Sequence, residues 1–368
     1  MNRRQFLVSA PAMAAAAPMA AQMGGISDPR SDYKPGKAVM VVGCQRGPTT
    51  ETFLKLLKRS GVNDVCGYVP IGPKGYFEVE DIQKVGDLCG KFGVKLMMAE
   101  INGLSSAYIA RARNPSIMMG KSPERDKAID DVCMSLRNAA KAGLPAVKYN
   151  MTVLGVLTSG RVEGRGGTSA REWDLSKAKT DPPLTEAGPS MGPAMWERIT
   201  YFLNRVIPVA NEYKVRMACH PHDPGVPPTG FRGVDRVIGT VEGLKKFLSI
   251  QESPYHGLNF CQGTVTEMLQ DPGKEIFDVI RYFGSRKKIF NVHFRNIRGK
   301  RDKFVETYPD EGDINFYKAM KVYKEVGYPY MMMPDHMPSH PDDPGGNQAF
   351  SFAYGYIKGL IQAVQNEG

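Results

Sequence analysis

Four side chains that can bind a metal or carry a proton lie within five positions of the stretch KVRMACHPHDPGVPP: Cys219, His220, His222 and Asp223. Side chains alternate along a strand, so His220, at the end of the apolar run, points to the opposite face from Cys219. His222 and Asp223 follow Pro221, in a turn beyond the strand, where they can only rim the same pocket. We therefore predict that His220 is the metal ligand of this group and that His222 contacts the substrate.

Three further apolar runs carry matching donors at or near their ends. They are Cys261, His293 and Asp335, and successive separations from His220 onward are 41, 32 and 42 residues, about one strand–helix unit each. Burial alone does not explain why such donors recur at the ends of successive apolar runs. Two imidazoles, a thiolate and a carboxylate suit one divalent transition metal such as Mn, Zn, Fe or Co. The thiolate favours Zn or Fe, whereas the carboxylate and open positions for substrate oxygens are compatible with Mn. His256, at the start of its run, is predicted to lie at the surface.

The elements that must position these residues alternate short apolar runs with longer amphipathic ones from residue 37 onward. Eight predicted strands are each followed by a predicted helix, and no GxGxxG motif follows the first strand. This pattern favours an α/β fold of the (β/α)8 TIM barrel type over a doubly wound open sheet. We predict one barrel domain over residues 37–366. Residues 151–191 have little periodicity and follow the fourth strand on the catalytic face, which predicts a lid-like insertion.

The N-terminus has the features of an export signal. NRRQFLVSAPAMAAAAPMAAQ begins with Arg3 and Arg4 and continues with an apolar, alanine-rich stretch, which predicts a twin-arginine signal peptide over residues 1–22 and a periplasmic or exported protein. The formal charge of +10 comes from scattered basic residues without a nucleic-acid motif, so a nucleic-acid partner is not predicted. No interior apolar run is long enough for a membrane span. The six cysteines are too widely spaced for a compact disulfide framework.

The segments HPHDPGVPP, LNFCQGT, VHFRN and MPDH occur in this order over residues 210–336, and they resemble the mannonate dehydratases, within the xylose-isomerase-like barrels. The resemblance implies that one divalent metal ion, usually manganese, is held by His220, Cys261, His293 and Asp335. It also implies an acid–base role for His336. The chain departs from the family pattern at His222, where the family has Asp, and in its export signal. A tyrosine that the family carries before its last helix has no clear counterpart.

The resemblance implies a metal-dependent sugar-acid dehydratase, a hydro-lyase. Such an enzyme removes the proton next to the substrate carboxylate, stabilises the resulting enediolate with the cation and protonates the departing β-hydroxyl. Arg295, on the same strand face as His293, and Arg161 or Arg165 in the lid could bind the substrate carboxylate. An exported metal-dependent isomerase, epimerase or lyase of oxidised sugars is the first alternative, and a non-catalytic sugar-binding barrel is the second. A homo-oligomer is compatible with the sequence.

Overall fold

The computed structural model describes residues 28–101, 103–181 and 184–367, so the predicted signal peptide lies outside the described residues. The described residues form twelve strands: β1 Val41–Cys44, β2 Asp64–Gly67, β3 Lys95–Glu100, β4 Ala146–Asn150, β5 Gly160–Glu163, β6 Ser169–Asp174, β7 Arg216–His220, β8 His256–Cys261, β9 Ile289–His293, β10 Ile297–Lys300, β11 Lys303–Glu306 and β12 Met331–Met333. Eight of them close into a parallel barrel in the order β1-β2-β3-β4-β7-β8-β9-β12. The predicted (β/α)8 barrel is confirmed.

Helices connect the barrel strands along the outside. They are α1 Glu51–Arg59, α2 Val79–Lys91, α3 Pro123–Lys141, α4 Gly192–Tyr213, α5 Val241–Ser249, α6 Gln262–Thr266, α7 Pro272–Ser285, α8 Phe316–Glu325 and α9 Asn347–Asn366. Short 3-10 helices occupy Pro29–Ser31, Ile109–Arg111, Pro115–Met118, Arg165–Gly167 and Leu175–Lys177. Several helices begin at a side chain that accepts a backbone N–H, as Thr50 does for α1 and Ser122 for α3.

The barrel strands β4, β7, β8, β9 and β12 are buried at every residue. One face of each strand packs inside the barrel and the other packs under the helices, so both faces of these strands are buried. Within the described residues, no helix is both long and apolar enough to cross a bilayer.

A second, antiparallel sheet has the order β10-β11-β6-β5, and we call it the cap sheet. Its strands β5 and β6 lie within residues 151–191, so the predicted lid-like insertion has regular structure of its own. Its other two strands form a hairpin that follows β9 directly, which the sequence analysis did not predict. Phe304 of the hairpin pairs with Trp173 of β6, and both side chains are buried. The cap sheet is therefore anchored by an apolar core.

Candidate active site

The structure brings His220, Cys261, His293 and Asp335 together, and we call these four residues the metal cluster. One ligand atom from each lies within 4.8 Å of the others. The first three are the last residues of β7, β8 and β9, and Asp335 follows β12 by two residues. Because Cys261 pairs in register with His293, the C-terminal ends of neighbouring strands deliver these donors at one level.

The hydrogen bonds around the metal cluster leave ring nitrogens facing its centre. Nδ1 of His220 lies 2.6 Å from the carbonyl oxygen of Pro221, so it donates there and leaves the Nε2 lone pair unused. Nδ1 of His293 is buried without a hydrogen-bond partner in the described part of the chain, and it lies 3.4 Å from Asp335 Oδ1. Sγ of Cys261 lies 3.6 Å from Asp335 Oδ2. An unpartnered buried nitrogen beside a thiol and a carboxylate fits a bound cation.

The charges of the metal cluster also fit a bound cation. Burial lowers the pKa of His220 and keeps its imidazole neutral, the form that binds metals. Burial would raise the pKa of Asp335, but the positive charge of His336 outweighs burial and lowers that pKa well below the usual range. The cluster thus offers an ionised carboxylate and a neutral imidazole donor, which suits a divalent transition metal.

The neighbours of His220 lie outside the metal cluster. Cys219 pairs in register with Tyr149, whose ring contacts Phe202 of α4, so this face of the strand packs against the helices. His222 is buried, and its Nε2 donates to the carbonyl oxygen of Met151 at 2.7 Å. Burial, with the positive charge of Arg236, lowers the pKa of His222 to about 3, so the ring is neutral. The ring of His222 therefore contacts the backbone of Met151 and is not part of the metal cluster.

The surface position predicted for His256 is wrong. The residue is fully buried at the start of β8, where its ring packs edge-on against Phe247 of α5 with centroids 4.7 Å apart. Its Nδ1 lies 2.9 Å from the carbonyl oxygen of Gln251. Helix α5 covers the start of β8, so His256 is not exposed.

Beside the metal cluster lies a group of buried charged side chains that we call the charge cluster: Arg171, Asp223, Glu267, Arg295 and Glu306. Its two arginines come from β6 and from the residues after β9, so it joins the cap sheet to the barrel. Arg171 contacts Asp223 at 2.9 Å and Glu306 at 2.7 Å. Against the opposing effect of burial, the two arginines lower the pKa of Asp223, and His336 together with the two arginines lowers that of Glu306. Burial and the negative charge of Asp223 raise the pKa of Glu267.

Arg295, predicted to bind the substrate carboxylate, lies at the centre of the charge cluster. Its side chain has no exposed surface, and its Nη2 lies 2.8 Å from Asp223 and 3.0 Å from Glu267. Its Nη1 contacts Glu306. A Cβ atom at residue 263 would lie 2.2 Å from Arg295 Nε, so Gly263 is needed for this packing. The guanidinium therefore has internal carboxylates as its partners.

His336 lies between the two clusters. Its Nδ1 lies 2.6 Å from Glu306 Oε1, its Nε2 lies 3.8 Å from Asp335 Oδ2, and its side chain is 34% exposed. Burial lowers the pKa of His336, but the negative charges of Asp335 and Glu306 raise it more, to about 9. Glu306 therefore orients the ring through Nδ1 and leaves Nε2 for contact with a substrate.

Of the two lid arginines, Arg161 lies in β5 and Arg165 in the turn between β5 and β6, and both have partners in the protein. Arg161 donates to Ser169 Oγ at 2.7 Å and to Ser339 Oγ at 2.9 Å. Arg165 donates to both carboxylate oxygens of Asp310, at 2.7 and 3.1 Å. The structure does not bring either of them into contact with the metal cluster.

The opposite side of the metal cluster has a polar chain that the sequence analysis missed. Gln45, which follows β1, donates from Nε2 to Asp335 Oδ1 at 2.8 Å. Its Oε1 accepts from Lys148 Nζ at 2.9 Å, and Lys148 lies 3.6 Å from Glu100. Lys148 and Glu100 both lie near the ends of predicted strands, which is the signal that could have found them. The partners of Glu306 and Arg171 depend on the cap sheet, and no local pattern indicates them.

Residues 192–368 match the family model described as D-mannonate dehydratase (UxuA). The C-terminal part of the chain resembles this family. The matched segment contains the whole metal cluster and His336. The mannonate dehydratase of Thermotoga petrophila is 27% identical over 325 residues, which cover 78% of this chain and 85% of that protein.

Two solved structures show the same architecture. The crystal structure of mannonate dehydratase from Streptococcus suis serotype 2 has a TM-score of 0.74 and 23% identity, covering 89% of this chain and 94% of that one. A xylose isomerase domain protein from Planctomyces limnophilus has a TM-score of 0.55 and 14% identity, covering 91% and 100% of the two chains. Both likenesses support the predicted barrel fold.

Proposed function

We propose that this protein is a metal-dependent sugar-acid dehydratase, a carbon–oxygen lyase. The observation that carries the proposal is the metal cluster itself. It lies at the C-terminal ends of the barrel strands, where enzymes of this fold have their active sites, and within the segment that matches the D-mannonate dehydratase family. His336, next to Asp335 in the chain, supplies a group for proton transfer at the same place.

We propose that the metal cluster holds one divalent cation. When bound, the cation supplies Lewis acidity, which stabilises the negative charge that develops on the substrate oxygens after loss of the proton next to the carboxylate. The buried Nδ1 of His293 and the ionised Asp335 are the features of the chain that support this assignment. Manganese is the ion that we propose, because the family resemblance favours it over zinc, iron and cobalt.

We propose that His336 carries out the proton transfer. Glu306 holds Nδ1, so Nε2 is the ring atom that can give a proton to the departing β-hydroxyl. The cap sheet contributes Glu306 and Arg171 to the charge cluster, and in this way fixes the position of the histidine ring. We also propose export through the twin-arginine pathway, on the basis of Arg3 and Arg4 and the apolar, alanine-rich stretch that follows them.

The experiment that tests this function is an assay of the protein, freed of metal and reloaded with Mn²⁺, against a panel of aldonic and uronic acids. We expect water loss from an aldonate such as D-mannonate, abolished by a chelator and restored by the ion. Inactivity of the metal-loaded protein towards every acid would overturn the proposal. A product of unchanged mass would indicate the isomerase or epimerase, and failure to bind any divalent ion would indicate the non-catalytic barrel.

A further inference from the structure

A sugar acid carries a carboxylate, so its binding site needs a fixed positive charge. The guanidinium groups of the three arginines expected from the sequence all bind other groups of the protein. Arg295 is enclosed by the carboxylates of the charge cluster. Arg161 donates to Ser169 of the cap sheet, and Arg165 donates to Asp310 in the loop after β11. A cation close to the metal cluster, with fewer partners in the protein, has to be found elsewhere.

Lys148 lies inside the barrel, close to the metal cluster. The ring of its neighbour Tyr149 contacts Phe202 of α4, so the alternation of β4 directs Lys148 to the interior. It pairs in register with Ala218, two residues below His220, and only 8% of its surface is exposed. A lysine side chain is long enough to rise from that level towards the ends of the strands.

Gln45 connects Lys148 to the metal cluster in one fixed orientation. An ammonium group only donates hydrogen bonds and a carboxylate only accepts them. The carboxamide must therefore direct its oxygen to Lys148, at 2.9 Å, and its nitrogen to Asp335, at 2.8 Å. One amide group thus separates the ammonium from an oxygen of Asp335.

The ammonium of Lys148 has capacity left for an anion. It has three N–H donors, and the described residues give it the hydrogen bond to Gln45 and a longer ion pair with Glu100, at 3.6 Å. Lys288, just before β9 at the opposite end of the barrel, is equally buried at 7%. Its Nζ contacts Glu252 at 2.6 Å and the carbonyl oxygen of Ser253 at 2.8 Å. Burial therefore does not by itself explain the weaker pairing of Lys148.

We propose that Lys148 binds the carboxylate of the sugar acid beside the metal cluster, and that Gln45 positions its ammonium group. The proposal rests on the function proposed above, because it assumes an anionic sugar as the ligand. A buried ammonium forms strong charge-assisted hydrogen bonds with a carboxylate, and the low dielectric of the barrel interior strengthens them. Neutral sugars gain no such attraction.

The test compares Lys148→Met with Lys288→Met in Mn²⁺-loaded protein. Calorimetry measures the binding of D-mannonate, D-gluconate and the neutral polyol D-mannitol, and elemental analysis measures the metal content. We expect Lys148→Met to weaken aldonate binding by about 10–100-fold, roughly 1.4–2.8 kcal/mol, with unchanged metal content and unchanged affinity for D-mannitol. Lys288→Met should leave all of these values unchanged. An equal loss for D-mannitol, or unchanged aldonate affinity, would overturn the proposal.

Glu100→Gln provides a second variant if Lys148→Met fails to fold. It removes the negative charge that competes for the ammonium, so aldonate binding should become several-fold tighter, and unchanged or weaker binding would count against Lys148. Aldonate binding that depends on Lys148 but leads to no water loss would overturn the dehydratase function alone. Dehydration with an unchanged KM in Lys148→Met would overturn the lysine proposal alone, and wild-type protein that binds neither aldonate would overturn both.

Discussion

Replacing Arg295 with methionine should destabilise the fold, because the structure gives this arginine internal partners. Its side chain is fully buried among Asp223, Glu267 and Glu306. The raised pKa of Glu267 favours the neutral form of that carboxyl group, whereas the lowered pKa values of Asp223 and Glu306 favour ionised carboxylates facing the two arginines of the charge cluster. The variant leaves one buried negative charge without a partner.

The size of the effect follows from that imbalance. Removing one partner of a buried ion pair costs ~3–5 kcal/mol of the free energy of unfolding. An unfolding entropy of about 2.1 cal/mol/K per residue corresponds to about 0.7 kcal/mol per degree for a domain of about 340 residues. The melting midpoint should therefore fall by about 4–7 °C. If Arg295 served the substrate carboxylate instead, KM would rise and the melting midpoint would stay within about 1 °C.

Urea-induced unfolding at several pH values tests this reasoning. In the wild type, the lowered pKa values of Asp223 and Glu306 give stability that is present at neutral pH and is lost only as the pH falls through those lowered values. In Arg295→Met the pKa values of the same carboxylates should be higher than in the wild type, so these groups should take up protons as the pH falls. The stability difference between variant and wild type should therefore shrink from pH 8 to pH 5.

The surface variant Arg205→Met is the control, because Arg205 is 32% exposed and its ion pairs with Asp126 and Asp130 lie at the surface. Its loss should cost less than about 1 kcal/mol. Equal stability losses in Arg295→Met and Arg205→Met, or a difference from wild type that grows on acidification, would refute the assignment of Arg295 to the charge cluster.

Three further predictions concern the metal, the proton transfer and the export. Alanine at any one position of the metal cluster should remove the divalent ion measured by elemental analysis, whereas Cys219→Ala and His222→Ala should retain it; the reverse pattern would contradict the strand register. His336→Asn should keep the ion but lose about 10²–10⁴-fold in kcat, and near-normal turnover would exclude His336 as the proton-transfer group. Lysine in place of both Arg3 and Arg4 should leave unprocessed precursor in the cytoplasm, and normal periplasmic accumulation would argue against the twin-arginine route.

The barrel and the convergence of the four donors could be predicted because both depend on local patterns. Strand alternation separates His220 from Cys219 without any knowledge of distant residues. A parallel barrel brings the ends of successive strands to one face, so the regular spacing of Cys261 and His293 is sufficient to place them together. Their positions follow from the period of the strands and the length of one strand–helix unit.

The partners of Arg295 and the burial of His256 could not be predicted in this way. Asp223 lies 72 residues from Arg295 in the sequence, and Glu306 meets Arg171 only because β11, a strand of four residues, pairs with β6 across a large separation in sequence. Such short strands give too few residues for a clear alternating pattern. His256 is covered by Phe247 of a neighbouring helix, and this contact depends on tertiary packing. Contacts between residues that are far apart in the sequence therefore leave no local pattern from which they could be predicted.

The measurement that tests the central proposal most directly is NMR of the Mn²⁺-loaded protein acting on D-mannonate in D2O. Loss of the proton next to the carboxylate and of the β-hydroxyl gives an enol that becomes a 2-keto-3-deoxy acid. We predict that this acid forms with deuterium at its new methylene carbon, and that the metal-free protein forms none. Deuterium next to an intact carboxylate in a sugar acid that retains all its hydroxyl groups would contradict dehydration, as would the absence of any reaction.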